Sequence, residues 1–98
     1  MALEKLSDQE INARLKKLEG WTREGDEIAR SITFESFSDA IDFINRIADH
    51  AEDADHHPEI FNVYNRVDLR LSTHDVGGLT EKDFDLAADI DGEVDFDE

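Results

Sequence analysis

The sequence predicts an α+β fold: a single four-stranded antiparallel sheet with three α-helices packed on one face, in the order α-ββ-α-ββ-α. Three observations carry this. At Ser7, Ser36 and Thr80 a hydroxyl residue stands three positions before an acidic one and just ahead of apolar residues at helical spacing, the pattern of a capping box. Twice, two β-prone stretches are joined by a connection short enough for a hairpin. No linker or internal repeat divides the 98 residues, so residues 1–98 read as one domain.

Taken in order, Ser7 caps the first helix, Glu10 closes its box, and Leu6 against Ile11 forms a hydrophobic staple. Ile11, Leu15 and Leu18 recur at helical spacing, Lys16 and Lys17 suit the negative end of the dipole, and Gly20 can end the helix, giving about residues 8–18. Residues 21–23 and 27–34 flank Glu24-Gly25-Asp26 as a hairpin. Ile28, Ile32 and Phe34 share a face of its second strand, with Arg30 the exception. Ser36 then opens the strongest amphipathic helix, about residues 37–51, along Phe37, Ala40, Ile41, Ile44, Ile47, Ala48 and Ala51. His50, in its last turn, complements the helix dipole.

Beyond Pro58, residues 60–63 and 67–72 read as a second hairpin around Tyr64-Asn65. Its two-residue loop would put Ile60 and Asn62 on one face with Val67, Leu69 and Leu71. Periodicity equally allows one continuous strand. After the loop at residues 75–78, Thr80 caps the third helix with Asp83 at N3, and Leu79 can staple onto Phe84. Phe84, Ala87 and Ala88 form a modest stripe, Gly92 marks the end, and residues 93–98 read as a frayed acidic tail.

Charge narrows the classes of function. Twenty-six acidic against ten basic residues leave a net charge of −16, spread along the whole chain. Such a surface repels nucleic acid and anionic membranes, because phosphate binding depends on Lys and Arg. The absence of cysteine removes disulfides and thiolate metal sites. No apolar run approaches the roughly 18 residues of a span, and the N-terminus lacks signal-peptide features; a soluble cytoplasmic protein is expected. The acidic excess, with only four lysines, resembles the composition favoured in a cytoplasm of molar salt.

The chemistry concentrates between Glu52 and His74, which hold three of the four histidines. Pro58 disfavours the α region at His57, so His56 and His57 fall on a helix-to-strand junction. Neighbours in an extended chain face opposite ways, which argues against a metal held by both histidines; no metal is expected. With no cysteine and no nucleophile elbow, general acid–base catalysis on a small polar molecule remains, using imidazoles oriented by carboxylates.

Glu52, three residues, His56-His57-Pro58, five residues, Tyr64, nine residues, His74, and then Asp83 resembles the signature of the pterin-4a-carbinolamine dehydratases. The resemblance extends through the segment from Pro58 to Asp83 and more weakly back to Trp21. It implies the same fold, and a lyase that removes water from a 4a-hydroxytetrahydropterin in tetrahydrobiopterin recycling, without redox cofactor or metal. It implies His56 and His74 as the acid–base pair and His57 as the group that holds the pterin. Glu52 and Asp55 would line the site and orient imidazoles, and Lys82 would stand where animal members carry arginine, a point charge in place of a fork. Asp83 matches the final signature position, yet a capping role at N3 is an equal reading. Ile60 replaces an aromatic residue frequent in the family. The resemblance further implies a homodimer or homotetramer built through helices. Its alternatives are a protein-binding dimerisation cofactor, as in animal members, or a relative acting on another pterin such as one of molybdopterin metabolism.

Overall fold

The computed structural model describes residues 4–97. Its elements are α1 (Asp8–Leu15), β1 (Thr22–Glu24), β2 (Glu27–Thr33), α2 (Phe37–Ala54), β3 (Glu59–Val63), β4 (Arg66–Leu71), a 3-10 turn (His74–Val76) and α3 (Glu81–Asp97). The strands form one antiparallel sheet in the order β1-β2-β4-β3, so the two hairpins meet where β2 pairs with β4. The α+β architecture expected from the sequence is present. No helix among the described residues is long and apolar enough to cross a membrane.

The sheet register decides which side chains meet the helices. Ile28 pairs with Leu71 and Ile32 with Val67, and all four are buried with Leu69. Phe43 and Ile47 of α2 and Leu86, Ile90 and Val94 of α3 complete this core, with Ile11 and Trp21 at its margin. The alternate residues Ser31, Thr33 and Arg66 are exposed, so the other face of the sheet is open. Tyr64-Asn65 is the two-residue turn of a true hairpin, with Tyr64 in the left-handed region at φ 51°. This excludes the continuous strand, and Ile60 and Asn62 do face the side of Leu69 and Val67.

Arg30 pairs with Leu69 on the apolar face of the sheet. Its guanidinium reaches Asp91 Oδ1 on α3, which also accepts the Trp21 Nε1–H at 2.7 Å. A half-buried cation is tolerated there because its counter-charge arrives on a helix packed above it.

The predicted caps form. Ser7 and Glu10 exchange both bonds of a capping box, and Ser36 accepts from the Asp39 amide. The helix ends differ from the expectation. α1 stops at Leu15, where Lys17 and Leu18 bond to carbonyls three residues back and tighten the chain. Leu18 still packs against the core. α2 runs to Ala54, so Glu52 belongs to its last turn rather than to the loop. α3 passes through Gly92 to Asp97, which makes residues 93–97 helical rather than a frayed tail. Two contacts outweigh the helix cost of glycine, about 1 kcal/mol: Val94 is buried, and Glu93 is tied to α2. That tie also corrects the reading of His50, whose Nε2 lies 2.8 Å from Glu93 Oε2 across the helix pair.

Candidate active site

The histidine junction is built by the way α2 ends. Asp55 takes the left-handed conformation, φ 50° and ψ 44°. Its amide bonds to the Glu52 carbonyl, and the His56 amide to that of Ala51, the two bonds of a Schellman motif. Aspartate is among the few residues other than glycine that enter this region readily. The motif brings His56 back against the end of its own helix, and Pro58 then carries the chain into β3.

Here the three candidate histidines come together. An open cleft of about 230 Å³ is lined by Asp55, His56, His57, Ser72, Thr73, His74, Asp75 and Lys82. Ser72 and His74 also line an adjoining recess of about 340 Å³ with Glu24, Asp26, Glu27, Gly77 and Gly78. A larger concavity, about 460 Å³, lies on the open face of the sheet, but no histidine lines it. Size alone is a poor guide here, because the histidines gather in the smaller cleft.

The three imidazoles are held differently. His56 is nearly buried, and its Nε2 lies 2.6 Å from Oδ1 of the fully buried Asp83. Its Nδ1 has no partner among the described residues. His57 is exposed, its Nε2 2.8 Å from Glu52 Oε2, one turn back on α2. His74 is exposed on the 3-10 turn and makes no side-chain hydrogen bond among the described residues. Glu52 bonds the His57 ring from the last turn of α2, while Asp55 shapes the junction and lines the cleft. Lys82 is half-buried at the cleft wall, on the first turn of α3.

Asp83 caps α3 and also meets an imidazole. Its Oδ2 accepts the Thr80 amide at 3.0 Å, which caps α3, while Oδ1 faces His56. Oδ2 also accepts the Thr73 hydroxyl at 2.8 Å, and Thr73 and Thr80 hydroxyls lie 2.8 Å apart. Thr73, Thr80 and Asp83 are the buried polar residues of the described chain. Sequence reasoning found Thr80 as a cap but missed Thr73 and Ser72; adjacency to His74 was the only signal they carried. Among the described residues no three His, Asp or Glu side chains are grouped to hold a metal ion.

The arrangement can donate and accept protons at a small polar molecule. Residues 4–93 match the family model described as pterin 4 alpha carbinolamine dehydratase. A protein of Mycobacteroides abscessus named for that activity is 52% identical over 89 residues, covering 91% of this chain and 95% of the relative. One from Roseiflexus castenholzii is 55% identical over 86 residues, covering 88% and 92%. The crystal structure of a transcriptional coactivator/pterin dehydratase from Brucella melitensis superposes with a TM-score of 0.89 at 41% identity, covering 92% of this chain and 98% of that one. A pterin dehydratase-like RuBisCO assembly factor of the alpha-carboxysome shares the fold, with a TM-score of 0.65 at 22% identity, covering 76% and 89%. With residues 4–93 matched by the family model and relatives more than half identical over nearly the full length, this chain belongs to the pterin-4-alpha-carbinolamine dehydratase family.

Proposed function

We propose that the protein is a lyase that dehydrates a 4a-hydroxytetrahydropterin to the quinonoid dihydropterin in tetrahydrobiopterin recycling. The observation that carries this is the convergence of His56, His57 and His74 on one cleft, with His56 backed by buried Asp83. In the reaction the C4a–O bond breaks as the hydroxyl takes up a proton and leaves as water. The N5–H bond gives its proton to a base, and its electron pair forms the C4a=N5 double bond. One proton is supplied and one removed, so exchange with solvent resets the site.

His56 suits the base. Asp83 occupies Nε2, leaving Nδ1 to accept a proton, and the developing imidazolium gains a neighbouring carboxylate. His74, exposed at the junction of the two recesses, supplies the proton to the hydroxyl. His57, anchored by Glu52, holds the pterin, with Asp55 and Lys82 lining the same cleft. Substrate and water are the only small molecules the step requires.

The acidic recess beside His74 favours one kind of pterin. Glu24, Asp26 and Glu27 line it, and Arg70 pairs with Glu24 and Glu27. A neutral hydroxylated side chain can hydrogen-bond to these carboxylates, whereas a phosphate-bearing side chain meets like charge. This supports a tetrahydrobiopterin-like substrate over a phosphorylated one.

A second reading has its own observation. The edge strand β3 and its turn expose Ile60, Phe61, Val63 and Tyr64, and an apolar edge is a template for association. We take its first use to be homodimer or homotetramer formation. A heterologous partner, suggested by the coactivator name of the Brucella relative, would use the same edge.

The activity is tested on purified protein without added metal or nucleotide, following 4a-carbinolamine dehydration by stopped flow. His56→Ala and His74→Ala should each slow turnover, by up to about 10²-fold, the low end for acid–base groups because carbinolamines dehydrate unaided. Full activity in the His56→Ala/His74→Ala double variant would end the proposal, and loss of activity with chelators would redirect it to a metal.

A further inference from the structure

We infer that Thr73 and Thr80 are positioning residues that decide which nitrogen of His56 carries its proton. A threonine hydroxyl has one proton to give. Thr73 gives its proton to Asp83 Oδ2, so in its contact with Thr80 it must accept, and Thr80 must donate. Thr80 Oγ1 in turn accepts the Lys82 backbone N–H at 3.2 Å. The direction is therefore fixed along the whole row, from the Lys82 amide through Thr80 and Thr73 to Asp83.

Oδ2 of Asp83 receives a second donor, the Thr80 amide. Two donors on one oxygen set the plane of the carboxylate and aim Oδ1 at His56. A carboxylate only accepts, so the 2.6 Å contact requires the proton on His56 Nε2. The neutral ring then has its bare nitrogen at Nδ1. Thr73, Thr80 and Asp83 are 4%, 0% and 0% exposed, so water does not compete for these groups and the row keeps one sense.

Capping alone does not account for Thr73. The cap of α3 needs Thr80 and Asp83; Thr73 lies beyond β4, ten residues before Asp83, and adds nothing to it. Its hydroxyl joins the Thr80 hydroxyl to Asp83 Oδ2 and so holds the carboxylate whose other oxygen faces His56. Thr73 therefore separates a structural network from a positioning one.

The primary test is ¹⁵N NMR of the histidine rings in the intact, unaltered chain, which needs no substrate. The neutral His56 ring should show a protonated Nε2 and an unprotonated Nδ1, and Thr73→Ser should retain that pattern. Thr73→Val should lose the single tautomer and, where the dehydratase activity proposed above is measured, lower kcat by about tenfold with KM within about twofold. Thr73→Ser should restore kcat. A His56 ring protonated at Nδ1 in the unaltered protein would overturn the inference. So would a Thr73→Val variant that loses turnover while its His56 signals stay unchanged. If Thr73→Val does not fold, the spectra of the unaltered protein and of Thr73→Ser decide alone. A protein without dehydratase activity but with the expected ring pattern would refute the proposed function and leave this inference standing.

Discussion

His56 and Asp83 lie 27 residues apart in the chain, and their side chains meet at 2.6 Å, with the carboxylate wholly removed from water. One oxygen of Asp83 caps a helix while the other holds an imidazole, so a single side chain couples α3 to the end of α2. Asp83→Asn should separate the two roles. The amide oxygen can keep the cap, whereas the NH₂ group would offer His56 a donor where it needs an acceptor. We expect turnover to fall about ten- to a hundredfold while circular dichroism stays unchanged. Unaltered turnover in a folded Asp83→Asn would leave the residue as a cap alone.

His57 and Glu52 form an exposed pair, 57% and 76% accessible. Such pairs add at most about 1 kcal/mol to stability, so neither side chain is there to hold the fold. His57→Ala should raise KM more than it lowers kcat, and Glu52→Gln should do the same more weakly. Steady-state kinetics checks this. A pure kcat effect in His57→Ala would move that residue into the acid–base pair.

Gly92 sits inside α3, and a Cβ placed there meets nothing within 4 Å. Gly92→Ala should raise stability by about 0.5–1 kcal/mol, through lower chain entropy in the unfolded state. A thermal melt should show a rise of a few degrees. A lower Tm would mean that glycine is needed at this point for a reason other than space.

Glu93 bridges Arg46 and His50 of α2 from its place on α3. The hydrogen bond from His50, and then the nearby cations, lower its carboxyl pKa below the ordinary glutamate value. A lowered folded-state value means the contribution is present above the unfolded pKa and is lost as pH falls through the folded one. The protein should therefore lose helix-pair stability from about pH 5 downward. In Glu93→Gln the Tm at pH 7 should drop and its acid-side slope should flatten. Parallel Tm–pH curves for the two proteins would show that the bridge contributes nothing.

The net charge of −16 predicts self-repulsion that salt relieves. If the protein is built for molar salt, its Tm should climb steeply along a KCl series into the range where the Debye length is about 3 Å. A Tm flat above about 0.15 M would mark an ordinary acidic protein. Light scattering along the same series reads assembly through the β3 edge, where Phe61 is 54% and Tyr64 64% exposed. Only an 11.2 kDa species at high salt would refute association.

What the sequence determined by itself is the set of elements and their local chemistry. Ser7 with Glu10 and Ser36 ahead of Asp39 each act within a few residues, so their outcome is written in neighbouring letters. Pro58 likewise keeps His57 out of a helix, although Asp55 already ends α2. Tertiary structure decided the rest. Arg30 broke the apolar alternation of β2 because its counter-charge, Asp91, lies 61 residues away. Gly92 suggested an end to α3, yet buried Val94 and the Glu93 bridge to α2 carried the helix past it. The same holds at the site: Glu52 and His57 meet across five residues of chain, whereas Thr73 reaches Asp83 only once the segment after β4 folds back on the start of α3. Periodicity reports what a residue does to its near neighbours. Which distant polar group satisfies it is settled only when the elements pack and water is excluded.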